Sequence, residues 1–249
     1  KEAKLFGNVQ ELASSESSTY TFIPSGFEIP SSLKYLHLTS NNTIYGTEYQ
    51  SYPKSPVPIV IDMSSDIFSR KLDFSQFDLI YAGAQKNIGP AGVTLVIIKE
   101  SLLGKVTRAI PTMMDYKTHI KDGSMFNTPP VFSIYVMMLT LRWIKSIGLE
   151  KIEVMNKEKA DTLYEAIDKN PLFKGTVEKQ DRSWMNVNFI MENKELEPEF
   201  LQFAKEKKCI GLAGHRSVGG FRASLYNALP LESVQHLVSL MHEFTKMKS

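Results

Sequence analysis

Lys86 stands near the middle of LIYAGAQKNIGPAGVTLVIIK (79–99), between two apolar runs. Ala82, Gly83 and Ala84 precede it, and Gly89, Pro90, Ala91 and Gly92 follow. A solvated ammonium needs no such neighbours. An amine lying under a flat aromatic ring does, because larger side chains would take the place of the ring. Burial near apolar or cationic groups lowers an amine from about 10.4, giving the neutral form that attacks an aldehyde. Asp62, which closes the apolar run VPIVID, supplies the complementary group. A carboxylate and a primary amine at one sheet edge suit pyridoxal phosphate: the amine forms an imine with its aldehyde, and the acid pairs with its protonated pyridine nitrogen. Gln85 adds amide donors that could reach a phosphate. The structural alternative is a Gly/Pro-rich hairpin loop with an exposed Lys86, and an Asp62 that only caps a turn.

Three further stretches carry polar chemistry. In SMFNTPPVF (124–132), Asn127 and Thr128 precede two prolines and an apolar run. They read either as the N-cap of a helix or as a phosphate-binding helix start. GHRSVGGFRAS (214–224) gathers His215, Arg216 and Arg222 around paired glycines. Arginine forks recognise carboxylate and phosphate, and glycine lets backbone approach a ligand, although a basic turn entering a strand has the same composition. TSNNT (39–43) ends an apolar run and would face the edge that holds Asp62 and Lys86; such a run is more commonly a solvated loop. No metal-ligand spacing occurs, and the single cysteine, Cys209, excludes an intrachain disulfide.

These residues need a sheet to hold them. Strands are predicted at 8–14, 33–39, 57–62, 77–83 and 93–99, in the alternation of an α/β sheet. The fifteen or so residues between Asp62 and the next strand allow a crossover, so the two strands can be parallel neighbours with Asp62 and Lys86 at their carboxyl edge. After residue 100 the spacing predicts helices over 131–147 and 149–169, the first a core helix capped by Gly148. A strand at 185–191, a helix near 197–207, a strand at 221–227 and a helix at 231–247 complete the pattern. The expected organisation is a large cofactor-binding part over 1–147 and a smaller α+β domain over 148–249.

The bulk numbers narrow the partners. Of 249 residues 43% are hydrophobic, enough for a full core, and 29 basic against 27 acidic residues leave a net charge of +2. That balance gives no case for nucleic acid. No apolar run is long enough to span a membrane. A reducing, cytoplasmic setting is the expectation from cysteine usage.

AGAQKNIGPAG, GSMFNTPP and GHRSVGGFRASLYNA, in this order, resemble the phosphoserine aminotransferase family, close to the class V aminotransferases; the resemblance runs the length of the chain. It implies a pyridoxal-phosphate transferase of fold type I, the aspartate-aminotransferase fold: a mostly parallel sheet in the large domain and a smaller α+β C-terminal domain. It implies that Lys86 bonds the cofactor and shuttles a proton, that Asp62 pairs with the pyridine nitrogen, and that Thr43 and Gln85 touch the cofactor. Asn127 and Thr128 would reach the cofactor phosphate of a neighbouring subunit, in a homodimer with active sites at the interface. His215, Arg216 and Arg222 would bind the phosphate and carboxylate of the substrate. The implied reaction passes the amino group of glutamate to 3-phosphooxypyruvate, giving O-phospho-L-serine and 2-oxoglutarate, by a ping-pong route. Against the family's pattern, the chain is expected to lack about a hundred N-terminal residues, among them a tryptophan that stacks on the cofactor. The opening KEAKLFGNVQEL, without Met, points the same way. A truncated subunit that binds cofactor weakly is one alternative. A cysteine desulfurase is another, for which Cys209 reads better as a small apolar residue than as a nucleophile.

Overall fold

The computed structural model describes residues 2–248. Four strands form the first sheet, in the order of the chain: β1 (Leu36–Thr39), β2 (Ile59–Asp62), β3 (Leu79–Gly83) and β4 (Thr94–Ile98). β1, β2 and β3 run parallel, and β4 returns antiparallel. The β-branched run in VPIVID favours a strand, and period-2 alternation sends Leu36, Leu38, Ile59, Ile61, Ile80 and Ala82 into one buried face. His37, Thr39, Val60, Asp62 and Tyr81 occupy the other, more open face.

Helices follow: α1 (Tyr116–Lys121), α2 (Val131–Ile147) and α3 (Leu149–Lys169). Gly148 has φ 88°, which lets it end α2 and begin α3 at once. A second, wholly antiparallel sheet joins β5 (Phe173–Gly175), β6 (Asn186–Met191) and β7 (Phe221–Ser224), with α4 (Glu197–Glu206) and α5 (Leu231–Lys248) beside it. Two hydrophobic clusters result. The first gathers the inner faces of β1–β3 with Met137, Ile144 and Ile152. The second is built on Phe173, Phe189, Phe200, Phe221 and Phe244, whose rings meet mostly edge to face. α3 serves both, with Ile152 in the first cluster and Ala160, Leu163 and Ile167 in the second.

Several expectations are corrected. Residues 8–14 form no strand; they are exposed apart from a half-buried Leu12 and have no neighbour to pair with. β5 is three residues long, too short for its alternation to register. The β2–β3 crossover, for which the sequence set only a length, is irregular, with turns and a 3₁₀ turn at Phe74–Gln76. α2 is not a buried core helix: only Met137 and Ile144 are buried, while Phe132 is 76% and Val131 68% exposed. Its hydrophobic residues surround the axis, and the first sheet covers just one side. Among the described residues no single helix is long and apolar enough to cross a membrane.

Candidate functional site

Because β2 and β3 are parallel neighbours, their carboxyl ends lie at one edge, which puts Asp62 and the segment holding Lys86 together. The segment after β3 is a tight helical turn: the amide N–H groups of Ile88 and Gly89 both donate to the Ala84 carbonyl, at 3.2 and 2.9 Å. Gly89 is small because α2 passes beside it; a Cβ there would lie 3.0 Å from Cβ of Met137. Ser133 of α2 donates from Oγ to the Ala91 carbonyl at 3.1 Å, fixing the far side of the loop. Buried Asn87 ties the turn to the second unit, accepting from the Asn227 amide at 3.1 Å.

Within this frame Lys86 is half-buried and its Nζ donates to Thr43 Oγ1 at 2.8 Å. Burial lowers the amine below the ordinary lysine value. The Asp62 carboxylate opposes that shift, the Arg222 guanidinium adds to it, and Asp66 opposes it again. Asp62, half-buried, accepts at Oδ1 from the Ser64 amide at 2.8 Å. Gln85 is exposed at the mouth of the turn.

TSNNT is not the solvated loop its composition suggests: Ser40 and Asn41 are buried. Asn41 Nδ2 donates to Ser65 Oγ and to Asn186 Oδ1, both at 2.8 Å, so the loop is docked between the sheet edge and β6. Gly46, at φ 83°, lets the chain pass so close to β6 that a Cβ would sit 2.9 Å from the Asn186 carbonyl oxygen. That docking carries Thr43 to Lys86.

Arg222 leaves β7 half-buried and within the electrostatic reach of Lys86. Among the described residues no hydrogen bond or ion pair occupies its guanidinium. His215 is half-buried, with Nδ1 2.7 Å from Ser217 Oγ, and Arg216 is exposed on the turn closed by the Gly214 amide donating to the Gly220 carbonyl at 2.8 Å. Asn127 and Thr128 are the pair that the fold leaves apart from this group. Both are exposed, and neither caps α2, whose N-cap position is Pro130 with no side-chain hydrogen bond. Asn127 Nδ2 donates only to the Thr128 carbonyl, at 3.2 Å. Cys209 packs against the second cluster, and burial pushes its thiol up, away from nucleophilic character.

Sequence reasoning missed a buried polar cluster beneath the site. Glu48, Asp66 and Arg70 are 0%, 1% and 4% exposed. Glu48 Oε2 accepts from the Trp184 amide at 2.7 Å, and Arg70 stacks over the Trp184 ring. The signal was faint: a Ser-Ser-Asp run after a strand reads as a turn. It also missed Ser64, whose Oγ accepts from the Gly83 amide at 3.0 Å and so links the ends of β2 and β3.

The half-buried amine with one weak partner, the carboxylate at the next strand end and the unpaired guanidinium form a site able to bond a carbonyl carbon and hold anions. Known proteins carry the same frame. The model of the aminotransferase class-V family matches residues 6–237. The phosphoserine aminotransferase of Phocaeicola vulgatus is 58% identical over 99% of this chain and 70% of that protein. The structure of phosphoserine aminotransferase from Bacillus circulans subsp. alkalophilus superposes with a TM-score of 0.96 at 45% identity, covering 100% of this chain and 70% of that one. A pyridoxal-phosphate-bound phosphoserine aminotransferase from Trichomonas vaginalis gives 0.91 at 38%, covering 97% and 70%. The chain belongs to the class-V aminotransferases and, within them, to the phosphoserine aminotransferase family.

Proposed function

We propose that this chain is a pyridoxal-phosphate-dependent phosphoserine aminotransferase, passing the amino group of glutamate to 3-phosphooxypyruvate to give O-phospho-L-serine and 2-oxoglutarate. The observation that carries the reading is Lys86 Nζ, half-buried, lowered in basicity and donating to Thr43, with Asp62 at the adjacent strand end. The residues fit the cofactor. Lys86 would bond its aldehyde carbon, Asp62 would pair with its ring nitrogen, and Thr43 and Gln85 would contact it from the loop side. Bound there, pyridoxal phosphate supplies an electron sink for the pair left when the α-proton of the amino acid departs. The chain's own part is to take that proton on Lys86 Nζ and return it, which the lowered basicity of the amine favours at neutral pH. His215, Arg216 and Arg222 hold the phosphate and carboxylate of the substrate, three cationic or polar groups against two anions.

We further place 1–147 and 148–249 as its large and small domains, and read it as a cytoplasmic homodimer. The exposed apolar surface of α2, with Phe132 and Val131 at its start, supports a subunit contact there. Asn127 and Thr128, immediately before α2 and far from engaged in this chain, would then serve the neighbour's cofactor phosphate. The experiment is chemical. Borohydride reduction of the protein with pyridoxal phosphate should leave one cofactor mass on the peptide holding Lys86 and none in Lys86→Ala. Glutamate should convert the bound cofactor to its amine form, and 3-phosphooxypyruvate should reverse this far better than pyruvate. An adduct retained in Lys86→Ala refutes the site.

A further inference from the structure

We propose that Asn87, Asn156 and Asn227 form a buried clamp that fixes the spacing between Lys86 and Arg222, with Asn87 and Asn227 as positioning residues for the two. The inference rests on the reading of Lys86 as the residue that bonds the cofactor and of Arg222 as a holder of the substrate's anionic groups. The two side chains belong to different packing units. Ala84 and Ile88, on either side of Lys86, lie in the first hydrophobic cluster, whereas Phe221 and Ala223, on either side of Arg222, lie in the second. Apolar contact is non-directional and holds two such units together without fixing their register. Hydrogen bonds do fix it, because they need both a short distance and an aligned donor.

Each clamp residue comes from a different element, and each is buried: Asn87 from the Lys86 turn is 4% exposed, Asn156 from α3 1%, and Asn227 from the segment after β7 4%. The Asn227 main-chain N–H donates to Asn87 Oδ1 at 3.1 Å, joining the residue after Lys86 to the segment that follows Arg222. The Asn227 side chain is held in turn. Its Oδ1 accepts from Asn156 Nδ2 at 2.8 Å, and its Nδ2 donates to the Phe68 carbonyl at 3.0 Å. Asn156 Nδ2 also donates to the Ser69 carbonyl at 2.8 Å. These amide orientations are forced, since a main-chain N–H can only donate and the Phe68 and Ser69 carbonyls can only accept. Phe68 itself stands at φ 54°, a conformation that residues other than glycine rarely take, and the Asn227 amide secures its carbonyl. Lys159 Nζ donates to the Leu225 and Tyr226 carbonyls at 3.0 and 2.9 Å, and the Leu225 N–H donates to the Met185 carbonyl at 2.7 Å, which keeps the segment from sliding. The three asparagines neither titrate nor bond a ligand. Their effect on the reaction passes through Lys86 and Arg222: a substrate held at Arg222 while it reacts beside Lys86 accepts one spacing.

Asn87→Leu keeps the volume and removes the acceptor. In the protein without cofactor, amide hydrogen exchange followed by ¹⁵N NMR should show the Asn227 amide exchanging about tenfold faster or more, the worth of a buried donor left unpaired. The amides of Arg222, Ile88 and Gly89 should follow it, while those of β2 and α5 keep their rates. Asn87→Asp, which retains Oδ1 as acceptor, should leave the Asn227 rate near that of the wild type. Asn156→Ala, which frees Asn227 from the α3 side, should give the same selective pattern as Asn87→Leu and serves in its place should that variant not fold. An Asn227 amide as protected as in the wild type overturns the clamp, and so does acceleration shared equally by β2 and α5, which reports a less stable fold and nothing more. With pyridoxal phosphate bound, Asn87→Leu should slow the conversion of the cofactor by saturating glutamate about tenfold or more. Because the spacing acts through Arg222, the same substitution should cost about twofold or less in the Arg222→Gln background, and additive losses overturn the positioning role. The exchange measurement needs no cofactor, so wild-type protein that fails to bind pyridoxal phosphate or to react with glutamate refutes the functional reading, while the exchange rates decide the clamp on their own.

Discussion

Asp66→Asn should flatten the pH dependence of stability between pH 5 and 7. Asp66 and Glu48 are buried with one guanidinium, Arg70, between two carboxyl groups, and Arg70 Nε is 3.9 Å from Glu48 Oε1. Three ionised groups would leave a buried net negative charge, which is costly. Ser40 Oγ lies 2.9 Å from the Asp62 carbonyl, which can only accept, and also in short contact with Asp66 Oδ1. A Ser40 hydroxyl donating to Asp66 Oδ1 favours the ionised carboxylate, but burial and the like charge of Glu48 outweigh it. Burial and the neighbouring Glu48 charge push Asp66 up to about 8 from an ordinary value of 3.8. Between these limits the native chain holds a proton that the unfolded chain has released. The contribution is therefore complete below about 3.8 and is lost as pH rises through about 8. One such proton gives a slope of about −1.4 kcal/mol per pH unit, or about 2.7 kcal/mol from pH 5 to 7. Urea unfolding of wild type and Asp66→Asn at pH 5, 6 and 7, followed by tryptophan fluorescence, measures the difference, in which other titrating groups cancel. Glu48→Gln removes the like charge and should move the descending limb to lower pH. Parallel stability lines for wild type and Asp66→Asn would show that Asp66 is ionised in the native state, and the proton assignment would be wrong.

Lys159 predicts the opposite slope. It is buried with Nζ donating to the Leu225 and Tyr226 carbonyls at 3.0 and 2.9 Å, and burial lowers it to about 8 from 10.5. The native chain gives up this proton first, so stability should rise by about 1.4 kcal/mol per pH unit between pH 8 and 10, and Lys159→Met should abolish that rise in the same unfolding assay. Gly214→Ala places a methyl group on the Gly219 carbonyl oxygen, so the 214–220 turn must open. If that turn presents His215 and Arg216 to the substrate as proposed, the variant should show KM for the phosphorylated keto acid raised at least about tenfold. Arg222→Gln should weaken binding of inorganic phosphate, read by titration calorimetry, by about ten- to a hundredfold, the worth of charge-assisted hydrogen bonds. Equal affinity would remove Arg222 from anion recognition.

The frame of the site was legible wherever the fold is local. VPIVID and FDLIYAG declare strands by β-branched and alternating residues, and the length between them makes the parallel pair possible; from that pair the meeting of Asp62 and Lys86 follows. What stayed hidden depends on distant partners. TSNNT looked like solvent-facing loop because nothing local says that Asn186 and Ser183, more than a hundred residues later, bury Asn41 between them. α2 looked like a core helix because hydrophobicity reports the wish to be covered, while coverage needs neighbours on every side. Asn127 and Thr128 read as a cap, but two prolines move the helix start past them. The same division runs through the chemistry. Lys86, Asp62 and Arg222 are visible as residue types because reactive and anion-holding groups are few. Buried Asp66, by contrast, is ordinary in the sequence and acquires its environment only from the fold. A family motif therefore locates candidate reacting groups, whereas the buried charge cluster of Glu48, Asp66 and Arg70 lies outside it, and substitution there should alter the pH dependence of stability before it alters the reaction.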